Sequence, residues 1–203
     1  MIEALERAAG RPVSRETRDR ISAYVDLLRE ENARQNLVSA TTLDEVWDRH
    51  VLDSAQLVRF EPRAGSSWAD IGSGAGLPGI VIACLVEGPV TLVEPRALRA
   101  GFLANVVRKL DLRCDVVQSR AERVTGKYEV ITARAVAALP RFLGMCEHLS
   151  TRKTQWVLPK GRSAQSELAE ARRTWQGDFR VEPSVTDEDS RIIVATKVRA
   201  KNR

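Results

Sequence analysis

The sequence predicts an α/β protein whose parallel sheet is covered by helices on both faces, with an N-terminal helical extension and a C-terminal antiparallel strand pair. From Ser67 onward, short runs rich in β-branched and aromatic residues alternate with helix-length stretches, which is typical of a parallel sheet. Before Ser67 the apolar residues recur with helical spacing. The last two strand-like runs have no helix between them, so we expect them to pair antiparallel.

The first 60 residues predict two helices. Ser14 is suited to cap the first, which places Ile21, Val25 and Leu28 on one face. The segment from Thr42 to Glu45 resembles a capping box and predicts the start of the second. The apolar stripe of this second helix, with one histidine, consists of Leu43, Val46, Trp47, His50, Val51, Leu57 and Val58. Such a stripe is expected to pack on a neighbouring layer.

Five strand-like runs build the predicted parallel sheet: Trp68 to Ile71, Val90 to Glu94, Cys114 to Gln118, Tyr128 to Ala133 and Gln155 to Leu158. Helix-length stretches lie between and after them: Leu77 to Val86, Arg96 to Leu110, Leu139 to Leu149 and Ser163 to Trp175. The antiparallel pair is expected at 179–185 and 191–198, at the edge or flank of the sheet. We therefore interpret residues 1–60 as a helical extension packed on the core, and residues 61–203 as one structural unit.

Composition limits the possible classes of protein. A chain of 203 residues with 43% hydrophobic and 29% charged residues is typical of one soluble globular domain with a modest extension. The longest apolar stretch, Gly79 to Val86, is shorter than the roughly 20 residues that span a bilayer. The first residues lack the pattern of a secretory signal, so we expect a cytoplasmic protein. Three isolated cysteines and two histidines predict neither a disulfide scaffold nor a metal site.

Charge is distributed unevenly along the chain. Residues 1–95 contain 10 Lys and Arg against 15 Asp and Glu, whereas residues 96–203 contain 22 against 12. Arginine supplies 26 of the 32 cations, and its planar guanidinium suits bidentate phosphate contacts. A basic half of this kind suggests a nucleic-acid partner. Compositional bias and a solvated charged surface remain an alternative explanation.

Four glycines separate the first strand from its helix: Gly72, Gly74, Gly76 and Gly79. Glycine permits positive φ and lets a ligand lie against bare backbone, while the following helix offers unpaired N–H groups. Glu94 closes the next strand, 20 residues beyond Gly74, where an acid in an open α/β fold accepts hydrogen bonds from ribose hydroxyls. The pattern favours a nucleotide-like ligand over a tight turn followed by a surface glutamate.

Two nucleotide-like ligands fit the glycine loop. The segment from Gly74 to Gly79 satisfies the dinucleotide pattern G-x-G-x-x-G, so an NAD(P)-dependent oxidoreductase stays open. The spacing from Asp70 to Gly76 instead resembles motif I of S-adenosylmethionine methyltransferases, with the acid serving the methionine ammonium. No Tyr-x-x-x-Lys and no separate substrate domain follow the loop. A non-catalytic RNA-binding module, motivated by the basic half, is the alternative from another class.

Six segments occur in an order that narrows the resemblance further: Asn36 to Ser39, Arg49 to Ser54, Asp70 to Ile80, Gln118 to Glu122, Ala133 to Ala135, and Lys160 with Gly161. Together they resemble the GidB family, also called RsmG, which makes N7-methylguanosine in 16S ribosomal RNA of the small ribosomal subunit. The resemblance covers about residues 20–198. One departure is visible, because Pro95, Leu98 and Arg99 stand where the family often has Ser and a Lys-Arg pair.

This resemblance implies a Rossmann-like class I methyltransferase sheet, S-adenosyl-L-methionine as cofactor, and 16S ribosomal RNA or the small subunit as partner of a monomeric enzyme. The expected cofactor-binding residues are Gly72, Gly74, Leu77, Glu94, Ala121, Glu122 and Arg134. In the basic half, the expected RNA-binding residues are Lys160, Arg162 and Arg99, with weaker candidates at Arg96 and in the tail at Lys197, Arg199, Lys201 and Arg203.

The implied reaction needs little acid or base chemistry. Guanine N7 carries an in-plane lone pair, so no proton has to be removed before methyl transfer, and positioning supplies the catalysis. We therefore name no catalytic residue. His50 is expected to be packed or hydrogen-bonded within the core, and Asp53 to pair with His50 or with Arg49.

Overall fold

The structure, a computed structural model, describes residues 1–201. Its N-terminal part consists of α1 (Ile2–Ala9), α2 (Arg15–Gln35), α3 (Ala40–Asp44), a π-helical segment (Trp47–Leu52), α4 (Asp53–Ala55) and a 3-10 segment (Gln56–Phe60). Ser14 caps α2 as predicted, because its hydroxyl accepts the Thr17 N–H at 3.0 Å. This part of the chain is therefore helical, but in more pieces than the sequence predicted.

Two expectations for the N-terminal helices are wrong. Helix α1 was not predicted, because its 8 residues carry only a short apolar face. The second predicted helix does not begin at the capping box from Thr42. Ser39 caps α3 instead, its hydroxyl accepting the Thr42 N–H at 3.4 Å, and α3 ends at Asp44. The apolar stripe that follows continues through π, α and 3-10 turns instead of one regular helix.

Seven strands form one sheet: β1 (Trp68–Ile71), β2 (Val90–Val93), β3 (Cys114–Val117), β4 (Val130–Thr132), β5 (Gln155–Lys160), β6 (Trp175–Pro183) and β7 (Arg191–Ala200). Four further α-helices lie between them: α5 (Gly79–Leu85), α6 (Ala97–Lys109), α7 (Leu139–Cys146) and α8 (Ala164–Thr174). The strand order is β3-β2-β1-β4-β5-β7-β6. The first five strands run parallel, and β7 pairs antiparallel with both β5 and β6.

The sheet confirms the predicted α/β class and the C-terminal antiparallel pair. The chain builds outward from β1 to one side through β2 and β3, and to the other side through β4 and β5. The carboxyl ends of β1 and β4 therefore border the crevice where open α/β folds bind ligands.

Two apolar layers cover the sheet. One contains Leu5, Tyr24, Trp68 and Leu103, so the N-terminal helices share a core with β1 and α6. The other is built around Trp156 beneath α7 and α8. Tyr24 and Trp68 are fully buried, which makes the N-terminal helices part of the packing that holds the sheet. The domain boundary near residue 60 stays a prediction.

No helix within residues 1–201 has both the length and the apolar character needed to cross a membrane. Within the same range, no group of three or more His, Cys, Asp or Glu side chains is arranged to hold a metal ion. Cys84, Cys114 and Cys146 are free, and burial raises the pKa of each thiol to about 12. These thiols are therefore protonated at neutral pH.

Candidate active site

The loop between β1 and α5 requires glycine for two physical reasons. Gly72, Gly74 and Gly76 have φ of 71°, 56° and 96°, in the left-handed region that disfavours a side chain. The Gly72 N–H donates to Val93 O at 2.8 Å, and a Cβ on Gly72 would lie 2.6 Å from Val136 Cγ2. The loop therefore presents bare backbone at the carboxyl edge of the sheet.

Glu94 lies directly after β2 and is tied to this loop. It is only 3% exposed, which excludes the alternative of a surface glutamate. Its Oε2 accepts the Gly74 N–H at 2.9 Å and its Oε1 accepts the Arg96 N–H at 2.9 Å. A carboxylate oxygen has two lone pairs, so each oxygen keeps the capacity to accept a further hydroxyl. The predicted juxtaposition of loop and acid is confirmed.

Asp70 lies beneath the same loop, within β1, and is 1% exposed. Its Oδ2 accepts the Gly79 N–H at 3.1 Å, whereas its buried Oδ1 has no hydrogen-bond partner within residues 1–201. Burial raises the pKa of Asp70 to about 7. A buried carboxylate oxygen without a partner is costly unless a ligand satisfies it. This oxygen therefore suits a cationic group bound against the loop.

Tyr24 makes a contact with the glycine loop that the sequence interpretation missed. Its hydroxyl donates to Ala75 O at 2.8 Å, joining positions 51 residues apart, and it fastens α2 to the glycine loop. Burial raises the pKa of this phenol, so it stays a donor. This contact could have been anticipated, because Tyr24 lies within the apolar face of a predicted helix. A phenol buried there needs a hydrogen-bond partner from another part of the chain.

A small, mainly apolar cavity of about 160 Å³ adjoins the loop. Its walls include Gly72, Val93, Ala121, Glu122 and Val136. The structure thus brings together four of the predicted positions, counting Glu94 beside the loop. A small apolar cavity of this kind suits a nucleobase.

Leu77 and Arg99 occupy surroundings that the sequence did not specify. Leu77 is buried in the apolar layer beneath the N-terminal helices, so its side chain supports the loop from below. Arg99 follows β2 on α6, and its Nη1 lies 3.7 Å from the position of a Cβ on Gly74. Arg99 was predicted to bind RNA, and the structure places its guanidinium next to the glycine loop.

A larger cavity of about 600 Å³ opens beside the small one, and Val136 lines both. Its walls come from the segments that follow β4 and β5, from the β6–β7 connection and from α4. Arg134 stands in this wall: its Nη1 lies 3.1 Å from His50 Nδ1 and 3.9 Å from Asp53 Oδ2. Arg134 was predicted at the cofactor pocket, and it lies where the larger cavity meets the π-helical segment.

His50 is neutral in this arrangement. A guanidinium only donates, so His50 Nδ1 accepts from Arg134 and the ring proton is on Nε2. Burial and the Arg134 charge lower the pKa of His50 to about 4. The expected pairing of Asp53 with His50 or Arg49 is wrong, because Asp53 Oδ1 accepts from Gln56 at 2.8 Å and from Thr186 at 3.1 Å. Burial raises the pKa of Asp53 above its usual range.

The predicted RNA-binding residues after β5 differ in exposure. Lys160 closes β5 and is 15% exposed; its Nζ donates to Glu167 Oε2 at 2.8 Å and to Ala137 O at 3.2 Å. Arg162 is 81% exposed and pairs with Asp189. Lys160 therefore belongs to the wall of the larger cavity, and Arg162 to its rim.

The structure also places most of the weaker tail candidates. Lys197 and Arg199 lie within β7, and Lys197 pairs with Asp178 at 2.7 Å. Lys201 donates to Arg172 O. Arg203 lies outside the described residues. The tail thus continues the sheet, and its Lys197 already has an anionic partner on the neighbouring strand.

Solved structures with a similar fold include several methyltransferases. A SAM-dependent methyltransferase from Aquifex aeolicus matches with a TM-score of 0.61 and 14% identity, over 75% of this chain and 93% of that chain. The glycopeptide N-methyltransferase MtfA, solved with S-adenosyl-L-methionine, matches with a TM-score of 0.59 and 10% identity, over 71% of this chain and 93% of that chain. These likenesses establish the class I methyltransferase fold that the resemblance implied.

Comparison of sequences identifies the family, whereas the structural similarities identify only the fold. The model of the GidB family, described as rRNA small subunit methyltransferase G, matches residues 17–192. Ribosomal RNA small subunit methyltransferase G of Zymomonas mobilis is 42% identical over 200 residues, covering 94% of this chain and 90% of that protein. The protein of the same name from Erythrobacter litoralis is 49% identical over 186 residues, covering 90% of this chain and 89% of that protein. With the glycine loop, Glu94 and Arg134 placed at one sheet edge, this chain belongs to the GidB family of small-subunit ribosomal RNA methyltransferases.

Proposed function

We propose that the protein transfers a methyl group from S-adenosyl-L-methionine to guanine N7 in 16S ribosomal RNA of the small subunit. The observation that carries this proposal is the pair of adjoining cavities at the carboxyl edge of the sheet. The small one borders the glycine loop, the large one has both apolar and charged side chains in its walls, and Val136 lines both. Two substrates can therefore meet at Val136.

The residues beside the loop fit the cofactor. When bound, S-adenosyl-L-methionine supplies a methyl group activated by its sulfonium. The Glu94 carboxylate keeps lone pairs for both ribose hydroxyls, and the slot beside Ala121 and Glu122 accepts the adenine. The unpartnered Asp70 Oδ1 suits the methionine ammonium. Backbone at Gly72 and Gly74 lets the ligand approach without a side chain between them.

The protein's contribution to the reaction is positional. Guanine N7 attacks through its own lone pair, so no residue has to remove a proton beforehand. His50 is unsuited to that role, because Arg134 donates to its Nδ1 and its remaining ring nitrogen carries the proton. Holding two substrates in line contributes several kcal/mol, up to about 7–11 in the best intramolecular cases. The rigid loop, tied to Glu94 and Tyr24, supplies that alignment.

A methyl-transfer assay tests this function. It combines the purified protein with labelled S-adenosyl-L-methionine and with small-subunit RNA from cells that lack the gene. We expect label in one 7-methylguanosine, located by mass spectrometry of nuclease fragments. Assembled small subunits tested in parallel identify the preferred substrate. Absence of transfer to either substrate, or transfer to another atom, contradicts the proposal. Calorimetric titration with NAD tests the oxidoreductase alternative. We expect NAD to give no heat of binding to this protein.

We also propose that the protein works as a monomer in the cytoplasm and contacts RNA phosphates through Arg99, Arg162 and Lys160. Arg162 is exposed and lies between Gly161 and Ser163, which line the larger cavity, and Arg99 flanks the glycine loop. Lys160 is held by Glu167 within the wall. RNA that enters the larger cavity meets Lys160 in its wall.

Replacing Tyr24 by phenylalanine is expected to weaken cofactor binding about threefold to tenfold and to lower stability by about 0.5–1.5 kcal/mol. The change keeps the ring in the core but leaves the buried Ala75 carbonyl without its donor. Calorimetry and chemical denaturation measure the two effects. Tyr128→Phe is the matched control, because its hydroxyl has no hydrogen bond to the described residues. Unchanged cofactor affinity in Tyr24→Phe would show that this tyrosine does not contribute to cofactor binding.

Replacing Lys160 and Arg162 together by alanine is expected to spare cofactor binding but to weaken RNA binding. Each lost phosphate contact reduces the slope of log affinity against log salt by about 0.7–0.9. RNA affinity across a salt series measures the slope, and calorimetry measures the cofactor. Arg173→Ala is the control, since Arg173 is an exposed cation in the last turn of α8, whereas the cavity wall includes only the start of that helix, at Ser163 and Glu167. An unchanged slope with weakened cofactor binding refutes the assignment.

A further inference from the structure

The larger cavity contains a carboxylate oxygen with unused hydrogen-bonding capacity. Asp53 belongs to α4 and its side chain is 22% exposed. Its Oδ1 accepts from Gln56 and Thr186, which fix the orientation of the carboxylate. Its Oδ2 accepts no hydrogen bond from residues 1–201, and the nearest cationic atom is Arg134 Nη1 at 3.9 Å. This oxygen is accessible and held in place, yet it lacks a donor.

Both oxygens of the other carboxylate of the cavity already accept hydrogen bonds. Glu167 Oε2 accepts from Lys160 at 2.8 Å and from the Leu139 N–H at 2.9 Å, and its Oε1 accepts from Ser163 at 2.8 Å. The Gln56 amide is used as well, because its oxygen accepts the Val185 N–H at 2.9 Å. Within the part of the chain that the structure describes, Asp53 Oδ2 is therefore the carboxylate oxygen of this cavity that accepts no hydrogen bond.

The segment that follows β4 provides backbone donors. The backbone N–H groups from Ala135 to Ala138 have no acceptor among the described residues, and these residues line the cavity. Ala135 has a φ of 54°, which is strained for a residue with a side chain. A backbone held in this conformation at a cavity wall is typical of a ligand-binding segment. Arg134, Lys160, Arg191 and Glu167 also line the cavity and already have hydrogen-bond partners. Apart from them, the cavity combines one anionic acceptor without a donor with several neutral backbone donors.

Among the bases, guanine matches this combination. Its Watson–Crick edge carries the O6 acceptor beside the N1–H and N2–H donors, and N7 lies on the other side of O6. Adenine would instead direct its N1 lone pair at a wall that contains a carboxylate. The Arg-His-x-x-Asp-Ser segment that contains Asp53 has no part in the cofactor site described above, so this fit gives it a function.

We infer that Asp53 is a specificity-determining residue whose Oδ2 accepts a hydrogen bond from the N2 amine of the target guanine. This inference rests on the proposed function and deepens it. The backbone donors of residues 135–138 receive O6, which leaves N7 directed toward Val136 and the small cavity. Asp53 therefore selects the base and orients it, while the chemistry takes place at the far edge of the ring.

Inosine tests the assignment, because it lacks the N2 amine but keeps N1–H, O6 and N7. The methylated guanosine is first located in small-subunit RNA, and RNA with inosine at that position is then prepared by ligation. We expect the wild-type protein to methylate guanosine with a kcat/KM about 10-fold or more above that for inosine. Equal values overturn the inference. No methylation of the unmodified RNA at all would overturn the proposed function instead.

The variant Asp53→Asn tests whether Asp53 causes the preference for guanosine over inosine. We expect the variant to bind S-adenosyl-L-methionine as the wild type does, and its guanosine-to-inosine ratio to fall to about threefold or less. Glu167→Gln, which changes the other carboxylate of the cavity, is expected to keep the wild-type ratio. If Asp53 only positioned Arg134, Asp53→Asn would slow both substrates equally and preserve the ratio, which overturns the inference.

Discussion

Replacing Glu94 by alanine should weaken the binding of S-adenosyl-L-methionine by about tenfold to a hundredfold. Hydrogen bonds to a charged acceptor contribute roughly 1.5–3 kcal/mol, and removal of the carboxylate takes away the acceptor for both ribose hydroxyls. The structure adds a second reason. The N–H groups of Gly74 and Arg96 each donate to this carboxylate at 2.9 Å. Alanine also removes both of these hydrogen bonds, including the one that holds the loop, so we expect a loss of affinity near a hundredfold.

Isothermal calorimetry measures this effect, and circular dichroism establishes that the variant is folded. The cofactor affinity of Glu94→Gln should lie between those of the wild type and Glu94→Ala, because an amide keeps one acceptor oxygen but loses the charge. Glu87→Ala is the matched control: Glu87 is an exposed acid just before β2, at the opposite edge of the sheet. A folded Glu94→Ala protein with wild-type affinity would exclude Glu94 from the cofactor site.

The sheet could be predicted because its signal is local. Each of the five parallel strands is an apolar run bounded by polar or glycine-rich segments, so β1 was placed at Trp68 to Ile71 as observed. Boundaries without a turn signal were less accurate. Helix α8 passes directly into β6 at Trp175, four residues before the predicted start at Phe179. No glycine or proline marks that transition, and pairing with β7 decides it.

Of the site, the glycine loop and Glu94 could be predicted because one βαβ unit contains both. The contacts between distant segments could not. Arg134 and His50 are 84 positions apart, and no pattern in either segment indicates that they meet. The same holds for Tyr24 and Ala75, which are joined only when α2 packs on the sheet. Such pairs depend on the topology of the whole sheet, and local sequence patterns carry no information about it.

Charge counts located a basic half but could not identify which cations are free to bind RNA. Lys160 and Arg162 are two residues apart, yet Lys160 is enclosed beside Glu167 while Arg162 is exposed at the rim. Their difference arises because β5 ends at Lys160 and the chain then turns outward before α8. Exposure depends on the position of the strand end, and composition cannot specify it.

Replacing Gly72 by alanine is expected to weaken cofactor binding by about a hundredfold or more. The φ of 71° lies in the left-handed region, where a side chain adds roughly 1–2 kcal/mol of strain. The new Cβ would also lie 2.6 Å from Val136 Cγ2, so the loop or the shared wall of the two cavities has to move. Either movement displaces the surface on which the cofactor lies. The protein should still fold, since this loop is at the sheet edge.

Gly74→Val is expected to have a similar effect on cofactor binding for a different reason. A Cβ on Gly74 has room, with Arg99 Nη1 3.7 Å away, but its φ of 56° is unfavourable for a β-branched residue. Gly101→Ala is the control for both variants. Gly101 lies within α6 with nothing within 4 Å of its Cβ position, so alanine there should raise stability by about 0.5–1 kcal/mol and leave binding unchanged.

A double variant separates collision from backbone strain at Gly72. Val136→Ala removes the methyl group that a Cβ on Gly72 would meet, so Gly72→Ala combined with Val136→Ala should recover part of the lost affinity. Recovery should be incomplete, because the φ of 71° is still imposed on alanine. Calorimetric affinities of the two single variants and the double variant give the coupling between the sites. Gly72→Ala alone with wild-type affinity would show that the ligand does not depend on this loop backbone.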